Sequence, residues 1–270
     1  MKQLSMTSKI CLIFLWVFII PIVYASQPKA LLVLDGNPSL PYPPNYRSTF
    51  DLSTQSKQTI DSQGLKNLHV IGSGQFSEQQ LKNIIQHISN HILVIDLRRE
   101  SHGFINGIPC SWYGQYNWEN RYKTPKDILF EEQRRLHALS LLPKVIIYEI
   151  KGKTKQDKIN AVWPIVLVPK QVSTEAQLVH AFHLQYYRIF VNDHQPPTKQ
   201  QVKNLVKLLK KLPPDTWIYF HCRAGKGRTT TFMVIYDIIK NASLVSFDDI
   251  LKRQAAIGGK NLARLPPASS

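Results

Sequence analysis

A cysteine and an arginine six positions apart, Cys222 and Arg228, stand in the stretch WIYFHCRAGKGRTTTFMVIY, with Gly225 and Gly227 between them. That pattern suits cysteine-dependent chemistry on a phosphate ester. Small residues let the backbone curl until consecutive N–H groups converge as an anion nest. A helix starting behind the loop adds its positive end. In such a field Cys222 is favoured as the nucleophilic thiolate. Arg228 can clamp two phosphoryl oxygens with its planar fork. The nest itself would comprise Arg223, Ala224, Gly225, Lys226 and Gly227.

The flanks supply the scaffold. Trp217–Phe220 reads as a buried strand, and the β-branched and aromatic run after Thr229 reads as a buried helix. A second constellation precedes the loop: Val191-Asn192-Asp193-His194-Gln195-Pro196-Pro197. An acid at a strand end, on a segment stiffened by two prolines, is suited to general acid catalysis. Phosphoryl transfer to Cys222 leaves an alkoxide, which Asp193 would protonate as it departs. The carboxylate would then activate the hydrolytic water. The competing reading is an Asx turn before a capped helix.

The full HCxAGxGRT string between strand and helix resembles the phosphate-binding loop of the cysteine phosphatase superfamily. Trp163-Pro164 is superficially similar to the Trp-Pro-Asp loop of tyrosine phosphatases, but Ile165 takes the place of the acid and the segment reads as strand. The resemblance narrows with Asp96-Leu97-Arg98-Arg99-Glu100-Ser101-His102-Gly103-Phe104-Ile105-Asn106-Gly107, with Ser111-Trp112-Tyr113-Gly114 and Asn117-Trp118. These stretches look like the cysteine phytases, tyrosine-phosphatase-like inositol polyphosphate phosphatases. Asp193–Pro196, Pro44-Asn45-Tyr46-Arg47 and GSGQFSEQQ at 72–80 are similar too, so the likeness runs from about Pro44 to Gly259.

The resemblance implies Cys222 as nucleophile, Arg228 as phosphate clamp and Asp193 as general acid. It implies Arg47 on a substrate phosphate, Asp96 with its loop at the rim of the site, and His194 beside the substrate. His221 would orient the loop, and Thr229 would hydrogen-bond the thiolate. Arg98 and Arg99 read equally as site residues and as charges paired with Glu100. Lys226 resembles the basic loop residue of inositide lipid phosphatases, which reads extra phosphates. The family usually carries a further C-terminal helical segment with lysines near the pocket; here either distal phosphates would bind more weakly, or Lys260 and the lysine-rich helix at 199–211 would stand in.

Composition is compatible with this chemistry. The chain has 270 residues, 43% of them hydrophobic, and 34 Lys+Arg against 18 Asp+Glu, a formal charge of +16. The hydrophobic share excludes wholesale disorder. The charge draws in polyanions: a heavily phosphorylated small molecule and an anionic membrane surface fit it, and no nucleic-acid partner is expected. No metal or cofactor is expected either, because Arg228 and the loop amides already neutralise a phosphate. His180 and His183 lack a third ligand.

Lys2 and Lys9 ahead of the apolar run Ile10–Val23, then Val23-Tyr24-Ala25, predict a signal peptide over 1–25 and an exported, periplasmic or secreted protein. Residues 26–60, rich in Pro, Ser and Asn, read as an irregular arm around the domain. The phosphatase domain then spans 61–270. Cys110 and Cys222 are either far apart or a redox switch.

Within the domain the patterns predict strands at Leu68–Ile71, Ile92–Leu97, Val145–Tyr148, Val162–Val168 and Tyr186–Val191. Ser77 with Gln80 caps a helix running to about Asn90. Further helices are expected near Asp127–Leu141, Thr174–Phe182 and from Thr198 to about Leu212. The expected fold is α/β: a tyrosine-phosphatase-like central mixed sheet flanked by helices, with a small β-rich insert over about 103–172. The function expected is hydrolysis of inositol polyphosphates through a phosphocysteine. The alternatives are a phosphoinositide or protein-tyrosine phosphatase, or a non-catalytic inositol-phosphate-binding module.

Overall fold

The computed structural model describes residues 30–49, 60–88 and 91–264. The expected signal peptide and parts of the expected arm lie outside these residues. In chain order the strands and α-helices are β1 (Leu31–Leu34), β2 (Arg47–Ser48), β3 (Val70–Ser73), α1 (Glu78–Ile85), β4 (Ile92–Asp96), β5 (His102–Ile105), β6 (Ile108–Tyr113), α2 (Pro125–Ser140), β7 (Val145–Lys153), β8 (Ile159–Leu167), β9 (Val172–Ser173), α3 (Glu175–Ala181), β10 (Gln185–Arg188), α4 (Lys199–Leu209), β11 (Trp217–His221), α5 (Gly227–Asn241) and α6 (Phe247–Ala256).

The central sheet has the order β10-β4-β11-β3-β2. Its first four strands run parallel and β2 closes the edge antiparallel, which makes it mixed. β4 and β11 are buried throughout. This is why they read as unbroken apolar runs: both faces of a parallel sheet are covered. Alternation assigns the faces. Ile218 and Phe220 pack with Leu205 of α4 and Phe232 and Met233 of α5. Trp217 and Tyr219 pack with Leu81 of α1 and Leu178 and Val179 of α3. Each fully buried side chain of this size contributes roughly 1.5–3 kcal/mol.

The helices begin where local chemistry says they should. Ser77 accepts from Gln80 N–H while the Gln80 side chain accepts from Ser77 N–H, and Thr198 with Gln201 repeats the device. Gln80 also donates to the carbonyls of Asn37, Leu40 and Tyr42, tying the irregular stretch before β2 to α1. α6 was not anticipated. Its signal was present: Ser246 caps it, and Asp248 and Asp249 occupy its first turn.

Two expectations need correction. The arm is not irregular throughout, because Leu31–Leu34 is a strand that pairs with both β6 and β7. The β-rich part is also not an insert confined to 103–172. The second sheet, β8-β7-β1-β6-β5-β9, has the arm's β1 at its centre and α2 between two of its hairpins in sequence. A four-residue apolar run does not reveal its partners, and only the tertiary fold brings β1 between them. Smaller differences are at ends: β10 stops at Arg188 and α1 at Ile85.

Candidate active site

β11, β4 and β10 all end on the same side of the central sheet, and the loops that follow them meet there. Ligands bind at that edge of open α/β sheets. His221 closes β11, and the next residues wrap beneath a cleft of about 630 Å³. Its lining includes Cys222, Arg223, Ala224, Lys226, Gly227 and Arg228 from the loop, and Asp193 and His194 from the segment after β10. Tyr113, Lys153 and Asp157 enter from the second sheet.

The loop is pinned to the turn after β3. Cys222 N–H donates to Ser73 O at 3.4 Å, and Gln75 N–H donates to Arg223 O at 3.1 Å. Gly225 has φ +73°, and a Cβ there would lie 2.2 Å from Gly74 N. No other residue fits both the conformation and the space. The curl brings Gly225 N–H to 3.3 Å from Cys222 Sγ, and Thr229 Oγ1 donates to the same sulfur from 3.2 Å. Cys222 is 3% exposed, enough to meet a substrate at the floor of the cleft. Cys110 is a free thiol too, in a separate apolar cluster of the second sheet. Burial pushes its pKa well above the ordinary thiol range.

Three basic residues of the loop, Arg228, Arg223 and His221, each meet a buried acid. Arg228 makes a two-pronged pair with Glu100, at 2.8 and 3.0 Å. Glu100 also takes Arg98 Nε at 2.9 Å, and Arg98 Nη1 reaches Asp35 at 2.9 Å. Asp35 in turn accepts from Arg223 Nε at 2.7 Å. His221 Nε2 lies 2.6 Å from Glu175 Oε1. Burial opposes ionisation of Glu100, but Arg228 and then Arg98 outweigh it and hold the carboxyl well below its usual range. Burial likewise opposes ionisation of Asp35, but Arg98 and then Arg223 hold its carboxyl low. Arg98 is thus a wholly buried member of this network, paired with Glu100. Arg99 donates to the carbonyls of Asn120, Phe190 and Lys123, bracing the walls.

Arg228 Nε is buried with no hydrogen-bond partner. A buried donor in that state is costly, and a phosphoryl oxygen would satisfy it. Nη2 on the same edge lies 3.2 Å from Asp193 Oδ2. Arg228 and Asp193 therefore meet directly in the cleft. Asp193 is steadied by Asn117, whose Nδ2 donates to Oδ2 at 3.2 Å, and by Trp118, whose indole N–H donates to its carbonyl at 2.8 Å. His194 has φ +60° and its side chain stands in the cleft wall, 3.8 Å from Asp157.

Two predicted contacts with substrate are displaced. Arg47 is 1% exposed and lies behind the loop. It donates to the carbonyls of Asn45 and Gly225 and to Thr230 Oγ1. Burial lowers its pKa to about 10, against the pull of Cys222, so at neutral pH it is a cation behind the loop rather than a ligand in the cleft. Asp96 is not at the rim either. It is wholly buried, accepting from Arg98 N–H, the Tyr186 hydroxyl and Arg188. An Arg and an Asp in a motif have the same types whether they face a ligand or another side chain.

Asp96, His102 and Glu175 are the one cluster of metal-ligating type among the described residues, with atoms within 4.8 Å of one another. Their oxygens are already engaged by Arg188, Tyr186 and Gln75. His102 itself bridges the acids, 3.3 Å from Asp96 and 3.2 Å from Glu175. Burial and Arg98 oppose its protonation, but Asp96 and its neighbours win and lift its pKa to about 9.

This network predicts a pH profile for stability. Asp35, Asp96, Glu100 and Glu175 are held low in the fold. Their contribution is complete above their unfolded values of about 4 and is lost as pH falls. His102, held near 9, contributes fully below about 6.5 and loses that contribution as pH rises through 9. The melting temperature should peak between roughly pH 5 and 6.5. Melting curves from pH 3 to 10 check this; a flat profile between 6.5 and 9 would contradict the protonated His102.

Glu175, Asp35 and Gln75 were not singled out from sequence. Glu175 reads as a first-turn helix acid and Asp35 as a turn residue before Gly36. Asn117-Trp118 was visible only through resemblance.

Comparison with known proteins adds the family. The model of the PTP-like phytase family, described with inositol hexakisphosphate, matches residues 95–240, just over half of the chain. A PTP-like myo-inositol phosphatase from Mitsuokella multacida, solved with myo-inositol-(1,3,4,5)-tetrakisphosphate, is 32% identical with a TM-score of 0.80, over 90% of this chain and 42% of that one. A PTP-like phytase from Bdellovibrio bacteriovorus is 34% identical with a TM-score of 0.63, over 86% of this chain and 77% of that one. The effector protein hopD2 of Pseudomonas syringae pv. tomato is 27% identical over 244 residues, 86% of this chain. The chain spans half the length of that relative.

Proposed function

Because the chain belongs to the PTP-like phytase family, we propose that it hydrolyses phosphate monoesters of inositol polyphosphates through a phosphocysteine. The observation that carries this is Cys222 Sγ, held by Gly225 N–H and Thr229 Oγ1 on the floor of a cleft that also contains Arg228 and Asp193. In the first step Sγ attacks phosphorus, and the bond to the inositol oxygen breaks as Asp193 delivers its proton to that oxygen. In the second, water attacks the phosphocysteine, Asp193 takes a proton from it, and the S–P bond breaks to release phosphate and restore the thiolate. Arg228 and the loop amides stabilise the charge on the equatorial oxygens in both steps.

The substrate class is supported by the cations of the cleft and by the inositol tetrakisphosphate named for the Mitsuokella relative. Lys226 is exposed at the foot of α5 and lines the cleft. The same residue favours phosphoinositide lipids as the second reading. Export through residues 1–25 belongs to this proposal too, and the name of the Pseudomonas effector fits it.

Parallel assays with inositol hexakisphosphate, phosphoinositide vesicles and a phosphotyrosine peptide test the reading. Inositol hexakisphosphate should give the highest kcat/KM; a clear preference for either of the others overturns it. Lys226→Met should lower the ratio of kcat/KM for inositol hexakisphosphate to that for an aryl monophosphate by about tenfold. The open position of Lys226 puts the effect at the lower end of a charged hydrogen bond. The ratio should recover as salt rises, since screening weakens the charge term. An unchanged ratio would remove Lys226 from substrate selection.

A further inference from the structure

The hairpin of β7 and β8 carries more apolar surface than the fold uses. β8 reads INAVWPIVL, with no charge along its length. In β4 and β11 an unbroken apolar run means a strand buried on both faces. β8 is different, because it is an edge strand of the second sheet and only one of its faces is covered. Val145 pairs with Leu167 and Ile147 with Ile165, and these four join the core of that sheet.

The intervening pairs, Ile146 with Val166 and Ile150 with Val162, lie on the opposite face. Ile146, Val162 and Val166 are 48%, 37% and 59% exposed. Trp163 is 64% exposed on the same edge strand. The solvated face of an antiparallel sheet ordinarily carries polar residues. A contiguous apolar face in that position marks an interaction surface.

Charge says what the surface fits. The acids of the hairpin, Glu149 and Asp157, are already paired with Lys151 and Lys153. Lys144 and Lys170 flank the open end of the hairpin, and Lys155 and Lys158 stand in its turn. All four are exposed, and none has an ion pair among the described residues. The apolar face is therefore bounded at both ends by free cations. A second copy of this chain is a poor occupant, since a formal charge of +16 on each copy would set these lysines against one another. Pro164 also offers no N–H to a further strand. An exposed Trp and aliphatic side chains with a lysine rim match the interface of an anionic bilayer, where apolar groups enter the headgroup region and ammonium groups meet lipid phosphates.

We propose that the outer face of the β7–β8 hairpin docks on anionic lipid bilayers. The surface is separate from the catalytic cleft, which takes only Lys153 and Asp157 from this hairpin, and the proposal does not depend on the phosphatase activity. The full chain is sedimented with vesicles of phosphatidylcholine alone and with vesicles that also contain phosphatidylserine. The proteins compared are the wild type, the double variant Val162→Ser with Val166→Ser, and the double variant Lys155→Glu with Lys158→Glu. Residues 1–25 are common to all three, so the differences report the hairpin.

The wild type should bind the phosphatidylserine vesicles at least about tenfold more tightly than the neutral ones, and each double variant should lose about tenfold in affinity for them. Binding should weaken as ionic strength rises. Turnover of an aryl phosphate and the melting temperature should be unchanged, because the four substituted positions are exposed and outside the cleft. No preference for the anionic vesicles, or equal binding by all three proteins, overturns the proposal. So does concentration-dependent self-association that the valine variant removes while vesicle binding is absent, which would make the face a contact between copies.

Discussion

Cys222→Ser is expected to reduce phosphate release from every ester by at least roughly 10⁴-fold while inositol hexakisphosphate still binds. Serine is nearly isosteric, so the contacts that seat the loop on Ser73 and Gln75 persist. What changes is the nucleophile. The two hydrogen-bond donors on Sγ, Gly225 N–H and Thr229 Oγ1, support an anion, and a serine hydroxyl stays protonated where a thiol ionises. Arg228 keeps its Glu100 pair and its free Nε, so affinity for the phosphate should survive. Phosphate release and calorimetric titration of the same preparation measure the two quantities. Turnover above about one per cent of wild type would move the nucleophile elsewhere. Loss of binding with the fold intact would mean that the sulfur itself carries the recognition.

Asp193→Asn should cost roughly 10²- to 10⁴-fold on inositol hexakisphosphate and far less on an activated aryl phosphate. An inositol alkoxide is a poor leaving group and needs its proton as the bond breaks; a nitrophenolate does not. Trp118 holds Asp193 through the backbone, so the loop should keep its course with an amide in place. The substitution also removes the carboxylate that faces Arg228 Nη2 at 3.2 Å. Phosphate affinity should therefore hold or rise while kcat falls, which separates loss of a proton donor from loss of a binding group. Equal losses on both substrates would transfer the acid role, with His194 the neighbour to examine next.

Much of the scaffold follows from local chemistry that any reader of the chain can apply. The capping boxes at Ser77 and Thr198 use residues three positions apart, and each helix starts there. β4 and β11 are apolar at nearly every position because they are covered on both faces. Cys222, Gly225 and Arg228 occupy one short stretch of chain, and Gly225 N–H meets Cys222 Sγ within it. The family, too, was recognisable from these stretches before any fold was known.

The supports of that loop are another matter. Arg47 meets Gly225 across 178 residues, and Arg223 meets Asp35 across 188. Glu175 reaches His221 from a short helix whose own sequence says only that an acid suits a first turn. Asp96 and Arg47 stand in motifs that suggest contact with substrate, yet the fold turns both inward onto side chains. Lys260 enters the cleft because α6 folds back over α5. The difference is one of range. Curling a glycine loop, capping a helix and covering an apolar strand depend on neighbours in sequence, so the sequence by itself determined the loop that carries Cys222 and Arg228 and the strands and helices that flank it. Which arginine faces the phosphate and which faces a carboxylate depends on where distant segments pack. A buried charge must find its partner wherever the tertiary structure brings one, and only that structure decided it.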